Sequence, residues 1–204
     1  MLIKIYYKAT EGSILIDGLD INQIDPADLR ANIGYVPQDI VLFNGTIRDN
    51  IVIGAPYVDD LAVIQAAKLS GIDDFVNKQA EGFDSKIYER GQNLSGGQKQ
   101  SIAIARAAIL DPSVFIFDEP FNSIDDDTIA AFFKEMNKQL LSKTLVLVSH
   151  RANLLQLVDR LIVLDSGKLI LDGSKNEVLS KLTELAQKQT NVNVKEKTHG
   201  TKES

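Results

Sequence analysis

The chain has 204 residues, 44% of them hydrophobic and none of them cysteine, with a formal net charge of -6 from 22 basic and 28 acidic side chains. That is enough for one domain with its own core or a domain plus a tail, and it excludes disulfide frameworks and thiolate metal sites. The acidic balance argues against a nucleic-acid groove, which clusters positive charge, and no apolar run approaches the roughly 18–20 residues of a membrane-spanning helix.

The opening stretch, Met1-Leu2-Ile3-Lys4-Ile5-Tyr6-Tyr7, reads as the end of an apolar segment. It is too short for a secretory leader and has no small-residue cleavage pattern, so a soluble or peripheral chain is expected. Thr10-Glu11-Gly12 turns into a short strand, Ser13–Ile16, closed by Asp17-Gly18. Asp25 before Pro26 predicts an N-cap and first position of a short helix. Ile33–Val36 reads as a second strand, ended by Pro37, which cannot continue a ladder. Gln38 begins a loop through Leu42, Phe43 and Gly45, and Thr46 to Ile51 predicts another short helix. From Pro56 to Lys78 the pattern is helical, with Leu61, Ile64, Ala67 and Leu69 expected on one face and Gly71 as the stop.

The most informative stretch runs from Leu94 to Pro120. Ser95 with Gln98 three residues on predicts a capping box. Gly96 and Gly97 leave the first-turn N–H groups bare, so an anion can approach the backbone. Ile102, Ala103, Ala105, Ala107, Ala108 and Ile109 then give a small-residue apolar helix, stopped by Asp111-Pro112. Val114 to Phe117 is an unbroken β-favouring run, as expected of a strand covered on both faces. Asp118 and Glu119 at its end stand where open α/β sheets bind ligands, one suited to a metal and one to a proton.

Beyond Pro120 the sequence predicts a loop to Asp125, a helix from about Asp126 to Leu141 and a buried-type strand, Thr144–Val148, ending at Ser149-His150. A helix over Leu154–Val158 and a hairpin of Leu161–Leu164 with Lys168–Leu171 about Ser166-Gly167 follow. Ser174 with Glu177 forms a second capping box, opening a last helix to about Ala186. Residues 188–204, polar and without an aromatic, are expected to be disordered. No internal repeat occurs.

Leu94-Ser95-Gly96-Gly97-Gln98 followed by Val114-Phe115-Ile116-Phe117-Asp118-Glu119-Pro120 resembles the signature motif and Walker B strand of the ATP-binding cassette (ABC) family. The resemblance covers residues 1 to about 184 and is strongest with export-type cassettes. The run DPADLRANIGYVPQDIVLFNGTIRDNI is similar to the cassettes of bacterial type I secretion exporters. It implies an α/β P-loop NTPase (RecA-like) fold with an inserted α-helical signature subdomain: partial core over 1–54, helical subdomain over 55–110, and core again over 111–187. It also implies ATP and Mg²⁺ as ligands. The implied partners are a second nucleotide-binding domain and an exporter's transmembrane domain, at the cytoplasmic face of the bacterial inner membrane.

Position by position, Gln38 matches the Q-loop glutamine, which contacts the metal and senses the transmembrane partner. Asp118 supports Mg²⁺, Glu119 polarises the attacking water, Asp125 matches the D-loop and His150 the switch histidine at the γ-phosphate. Ser95, Gly96 and Gly97, with Gln98 in the same motif, bind the γ-phosphate of the nucleotide on the opposite subunit. Singly, Gln38 is equally a solvated loop residue, His150 a structural hydrogen-bonded one and Asp125 an N-cap. Their order along the chain carries the reading. Departures are small at Lys99, Ser101 and Asn122 and large at the front, where GxxxxGK[ST] is absent. The resemblance therefore implies truncation before or within the helix after the P-loop, a sheet lacking its first strands, unpaired strand edges, and no ATPase activity alone. A non-hydrolytic partner donating its signature motif to a complete cassette is the alternative. A chromosome or DNA-repair ATPase lobe is disfavoured, because the Q-loop-to-signature interval is compact and without sustained heptads.

Overall fold

The computed structural model describes residues 9–121, 129, 133, 136 and 142–199, with side chains as far as 187. The described residues fall into two compact units, within 1–150 and within 151–204.

In the first unit a small hairpin, β1 (Leu15–Ile16) and β2 (Leu19–Asp20), turns on Asp17 and Gly18, both at positive φ (50° and 80°). Asp25 caps α1 (Pro26–Asn32), its Oδ1 accepting from Ala27 N at 2.6 Å. The chain then enters β3 (Ile33–Val36). Much later come β6 (Val114–Asp118) and β7 (Thr144–Val148), and the three form one parallel sheet in the order β3-β6-β7. Ile33 pairs with Val114 on one side of β6, and Asp118 with Val148 on the other. Phe115, Ile116 and Phe117 are at most 2% exposed, so both faces of the central strand are covered, as its sequence predicts.

A helical layer fills the interval between β3 and β6. The loop after Gln38 reaches β4 (Gly45–Thr46), which pairs antiparallel with β5 (Lys86–Ile87). Thr46 caps α2 (Ile47–Val52) in a full capping box with Asp49. Next come α3 (Asp60–Ser70), α4 (Asp73–Asn77) and α5 (Gly96–Ala108). Gly71 ends α3 in the left-handed conformation, as expected of a glycine stop. The buried face of α3 differs from the expected one. Val63, Ala66, Ala67, Leu69 and Ser70 point inward, while Leu61 and Ile64 are 60% and 40% exposed. Apolar residues surround most of this helix, so spacing alone fits more than one stripe.

Gly34 is required by packing: an added Cβ would lie 2.5 Å from Ala107 O and 2.8 Å from Pro112 Cγ, so β3 and the end of α5 meet backbone to backbone. Beyond β6, Phe117 and Phe121 meet edge-on at 6.5 Å, and Phe121 meets Phe133 at 5.0 Å. Ile129, Phe133 and Met136 are helical and buried. The rest of the helix expected over 126–141, Asp125 and the segment 1–7 lie outside the described residues.

Among the described residues the strand expected as buried at Thr144–Val148 stands at the edge of its sheet. Val146 and Val148, on the same face of β7, are 39% and 50% exposed, and among the described residues β7 pairs with β6 alone.

In the second unit Ala152–Leu157 forms 3₁₀ turns in place of the expected helix. The hairpin of β8 (Arg160–Asp165) and β9 (Lys168–Ser174) turns on Ser166 and Gly167, both at positive φ. Arg160 grips Asp172 across it with two 2.8 Å bonds. Glu177 accepts from Ser174 N at 3.2 Å and Ser174 Oγ at 2.8 Å, opening α6 (Lys175–His199). That helix continues past the expected end near Ala186, and the residues expected to be disordered from 188 are helical as far as His199. No glycine or proline interrupts the chain between Gly173 and Gly200, so nothing local stops it.

Candidate functional site

The end of β6 carries two carboxylates that the backbone holds differently. Asp118 is the last residue in the ladder, paired with Val148. Glu119 turns out of it with φ 48°, a left-handed conformation uncommon outside glycine, and its N–H donates to Val148 O at 2.9 Å. His150 stands just past the end of β7. Its Nδ1 lies 2.9 Å from Glu119 Oε1, with the carboxylate 18% exposed and the imidazole 73%. Two residues 31 positions apart are thus joined by the pairing of adjacent parallel strands.

Glu119 Oε2 is buried and has no hydrogen-bond partner among the described residues. A buried carboxylate oxygen requires a donor, and one oxygen oriented by a histidine while the other awaits a donor suits general-base work on a water. Tyr35, on β3, donates from its hydroxyl to Asp118 Oδ2 at 3.3 Å. Burial, and then the Asp118 charge and hydrogen bond, push the Tyr35 phenol above 10.0, so it remains a donor at neutral pH. Among the described residues no group of three or more His, Cys, Asp or Glu side chains could cage a metal. A single hard carboxylate at the sheet edge fits Mg²⁺, which is commonly held by one or two carboxylates with waters and substrate phosphates.

The start of α5 forms the capping box as expected. Ser95 N donates to Gln98 Oε1 at 2.9 Å and Gln98 N to Ser95 Oγ at 3.2 Å. Ser95 and Gly96 are exposed. An added Cβ on Gly97 would meet only Ser95 Oγ, at 4.0 Å, so internal packing does not demand glycine there. The open space lies over first-turn N–H groups, where an anion is favoured. Asn93 holds the approach, accepting from Tyr88 N at 3.0 Å and donating to Lys86 O at 2.9 Å.

Gln38 is exposed, two residues past the end of β3. The structure therefore brings Asp118, Glu119 and His150 together at the carboxyl edge of one sheet. No hydrogen bond among the described residues joins them to Ser95, Gly96, Gly97 or Gln98. A family model described as ABC transporter matches residues 1–122. The chain belongs to the ABC transporter family. The leukotoxin translocation ATP-binding protein LktB of a Pasteurella haemolytica-like species is 40% identical over 178 residues, 87% of this chain and 25% of that protein. The alpha-hemolysin translocation ATP-binding protein HlyB of Escherichia coli is 40% identical over 179 residues, 88% of this chain and 25% of its own. A solved bacterial Atm1-family ABC exporter with ATP bound superposes with a TM-score of 0.83 at 37% identity, over 92% of this chain and 33% of that one. The chain thus spans about a quarter of these curated ABC relatives. Its parallel sheet and α/β layering match the P-loop NTPase fold of an ABC exporter's ATP-binding domain. No helix among the described residues is long and apolar enough to cross a membrane.

Three residues in this ABC-family chain escape motif reading. Tyr35 sits within a strand and gives no signal of its bond to Asp118. Asn50, a polar residue on an otherwise apolar helix face with Ile47 and Ile51, and Arg106, a cation within an alanine-rich helix, are visible as exceptions to their local pattern. Their partners are visible only in three dimensions.

Proposed function

We propose that the chain is part of the ATP-binding domain of a type I secretion exporter for protein or peptide, working with a transmembrane domain and a second nucleotide-binding domain at the cytoplasmic face of the bacterial inner membrane. Glu119 polarises the attacking water through the oxygen that has no donor among the described residues, and His150 orients Glu119 and faces the γ-phosphate. Asp118 and Gln38 are the residues that would hold Mg²⁺, which supplies charge neutralisation to the phosphates when bound. Ser95, Gly96, Gly97 and Gln98 close over a nucleotide carried by the opposite subunit, and Asp125, by its match to the D-loop, is the residue assigned to communication between subunits. The observation that carries this reading is Glu119, held by His150 on one oxygen and buried without a partner among the described residues on the other.

On its own the chain binds ATP weakly and does not hydrolyse it, because it contains no GxxxxGK[ST] segment. That segment supplies backbone N–H bonds and a lysine to the phosphates. Three missing charge-assisted hydrogen bonds at about 1.5–3 kcal/mol each are of the same order as the whole binding free energy of a micromolar site, about 8 kcal/mol. Titration calorimetry with Mg-ATP is expected to give a millimolar or weaker constant; a micromolar constant would overturn the expectation.

A further inference from the structure

The loop after Gln38 is tied to α5 by two side chains that the proposed chemistry does not use. Asn50, 1% exposed on the inner face of α2, treats Phe43 as a neighbouring strand would. Phe43 N donates to Asn50 Oδ1 at 2.8 Å, while Asn50 Nδ2 donates to Phe43 O at 2.9 Å and to Thr46 O at 3.0 Å. Arg106, in the last turn of α5, completes the knot. Its Nε donates to Asn50 O at 2.8 Å, its Nη1 to Val41 O at 3.0 Å and its Nη2 to Asn50 Oδ1 at 3.4 Å. The guanidinium also lies 5.9 Å from the centre of the Phe43 ring.

Other contacts fasten the same loop to the approach of α5. Leu42 is 2% exposed, and an added Cβ on Gly91 would lie 2.9 Å from its Cδ1. Gly45 and Thr46 pair with Ile87 and Lys86. The side chains of Val41 and Phe43 are nevertheless 55% and 49% exposed, so the knot fixes their backbone and leaves their apolar surface outward.

Arg106 is an expensive way to hold a helix end. It is half-buried, a desolvation that depresses its pKa, and no salt bridge neutralises it among the described residues. Apolar side chains fill such a position at lower cost than a desolvated charge. What the planar guanidinium adds is geometry, because its donors form a rigid fork that fixes several acceptors at once. Here the acceptors belong to the loop and to α2, and the donor belongs to the helix that begins at Ser95.

We propose that Asn50 and Arg106 are positioning residues that lock the segment 39–46 and the signature helix into one body, so that a displacement of Val41 and Phe43 is carried to the start of α5 instead of being absorbed in the loop. The proposal rests on the reading above only in taking the Ser95 end of that helix as a working end. Its test needs no nucleotide, so it can fail while that reading stands, and the reverse.

Amide hydrogen exchange on the whole chain, compared among the parent, Arg106→Lys, Asn50→Asp and Arg106→Ala, decides it. Lysine keeps the charge and loses the fork; aspartate keeps the acceptor for Phe43 N and loses the donors to Phe43 O and Thr46 O. In both conservative variants exchange is expected to rise tenfold or more at 41–46 and severalfold at Gln98 and Lys99, while Phe115, Ile116 and Phe117 stay within twofold. Loosening at 41–46 with Gln98 and Lys99 unchanged would show that loop and helix are not coupled. Unchanged rates throughout, or a uniform rise that includes β6 in both conservative variants, would equally overturn the proposal. Should Arg106→Ala unfold the chain, the two conservative variants carry the decision.

Discussion

β6 and β7 lie side by side in one parallel sheet and are built from similar residues, yet their fates differ. Phe115 and Phe117 on β6 are fully buried, whereas Val146 and Val148 on β7 are 39% and 50% exposed. The distinction is in what surrounds each strand. β6 has a ladder on both edges and aromatic contacts out to Phe121 and Phe133, while among the described residues β7 has β6 alone. A run of β-branched and large apolar side chains announces a strand but not its place in the sheet. An edge without charge or proline is also a template for association.

The contrast can be broken most directly by truncation. Phe117→Ala should cost about 3–5 kcal/mol, the usual loss for a buried aromatic, while Val146→Ala should cost less than about 1 kcal/mol. Urea midpoints for the two variants would measure this, and equal losses would mean that β7 is as buried as β6. Next in size is Gly34→Ala on the other edge of β6. The new methyl has backbone within 2.5 Å, and overpacking of this kind costs about 1–3 kcal/mol; thermal melts would register it.

Val146→Lys sharpens the comparison from the other direction. Stability should change by no more than about 0.5 kcal/mol, while sedimentation velocity shows less self-association than in the parent, because a charge on an open edge opposes pairing. The smallest effect concerns pH. Hydrogen bonds from Thr46, the backbone one first, hold the Asp49 carboxyl below its ordinary 3.8. A depressed folded-state value stabilises above the unfolded value and is lost as pH falls through the folded one. Acidification below about pH 4 should therefore loosen the start of α2 in the parent and leave Asp49→Asn insensitive, read by the exchange of its first-turn amides.

Features governed by a few neighbouring residues were legible in the sequence: the Asp25-Pro26 start, the Gly71 stop, the Ser95/Gln98 box and the Ser166-Gly167 turn. Each depends on one backbone conformation or one short hydrogen bond. The buried face of α3 was not legible, because apolar residues on several sides leave the stripe undetermined. Of the site, the positions of Asp118, Glu119 and His150 at strand ends could be read, but not the bond between the last two, which only strand pairing creates. Tyr35, Asn50 and Arg106 have distant partners and no motif. The length of α6 was not legible either, because a polar composition points to disorder even where no glycine or proline breaks the helix.

The ladder between β6 and β7 acts as a ruler for the Glu119–His150 pair. Sliding β7 along β6 by a single residue shifts His150 by about 3.3 Å and turns successive side chains to the opposite face, which is farther than the 2.9 Å contact with Glu119 can tolerate. The exposed strand is therefore also the one that sets the alignment of His150 on Glu119, and whatever steadies β7 steadies that contact without touching it.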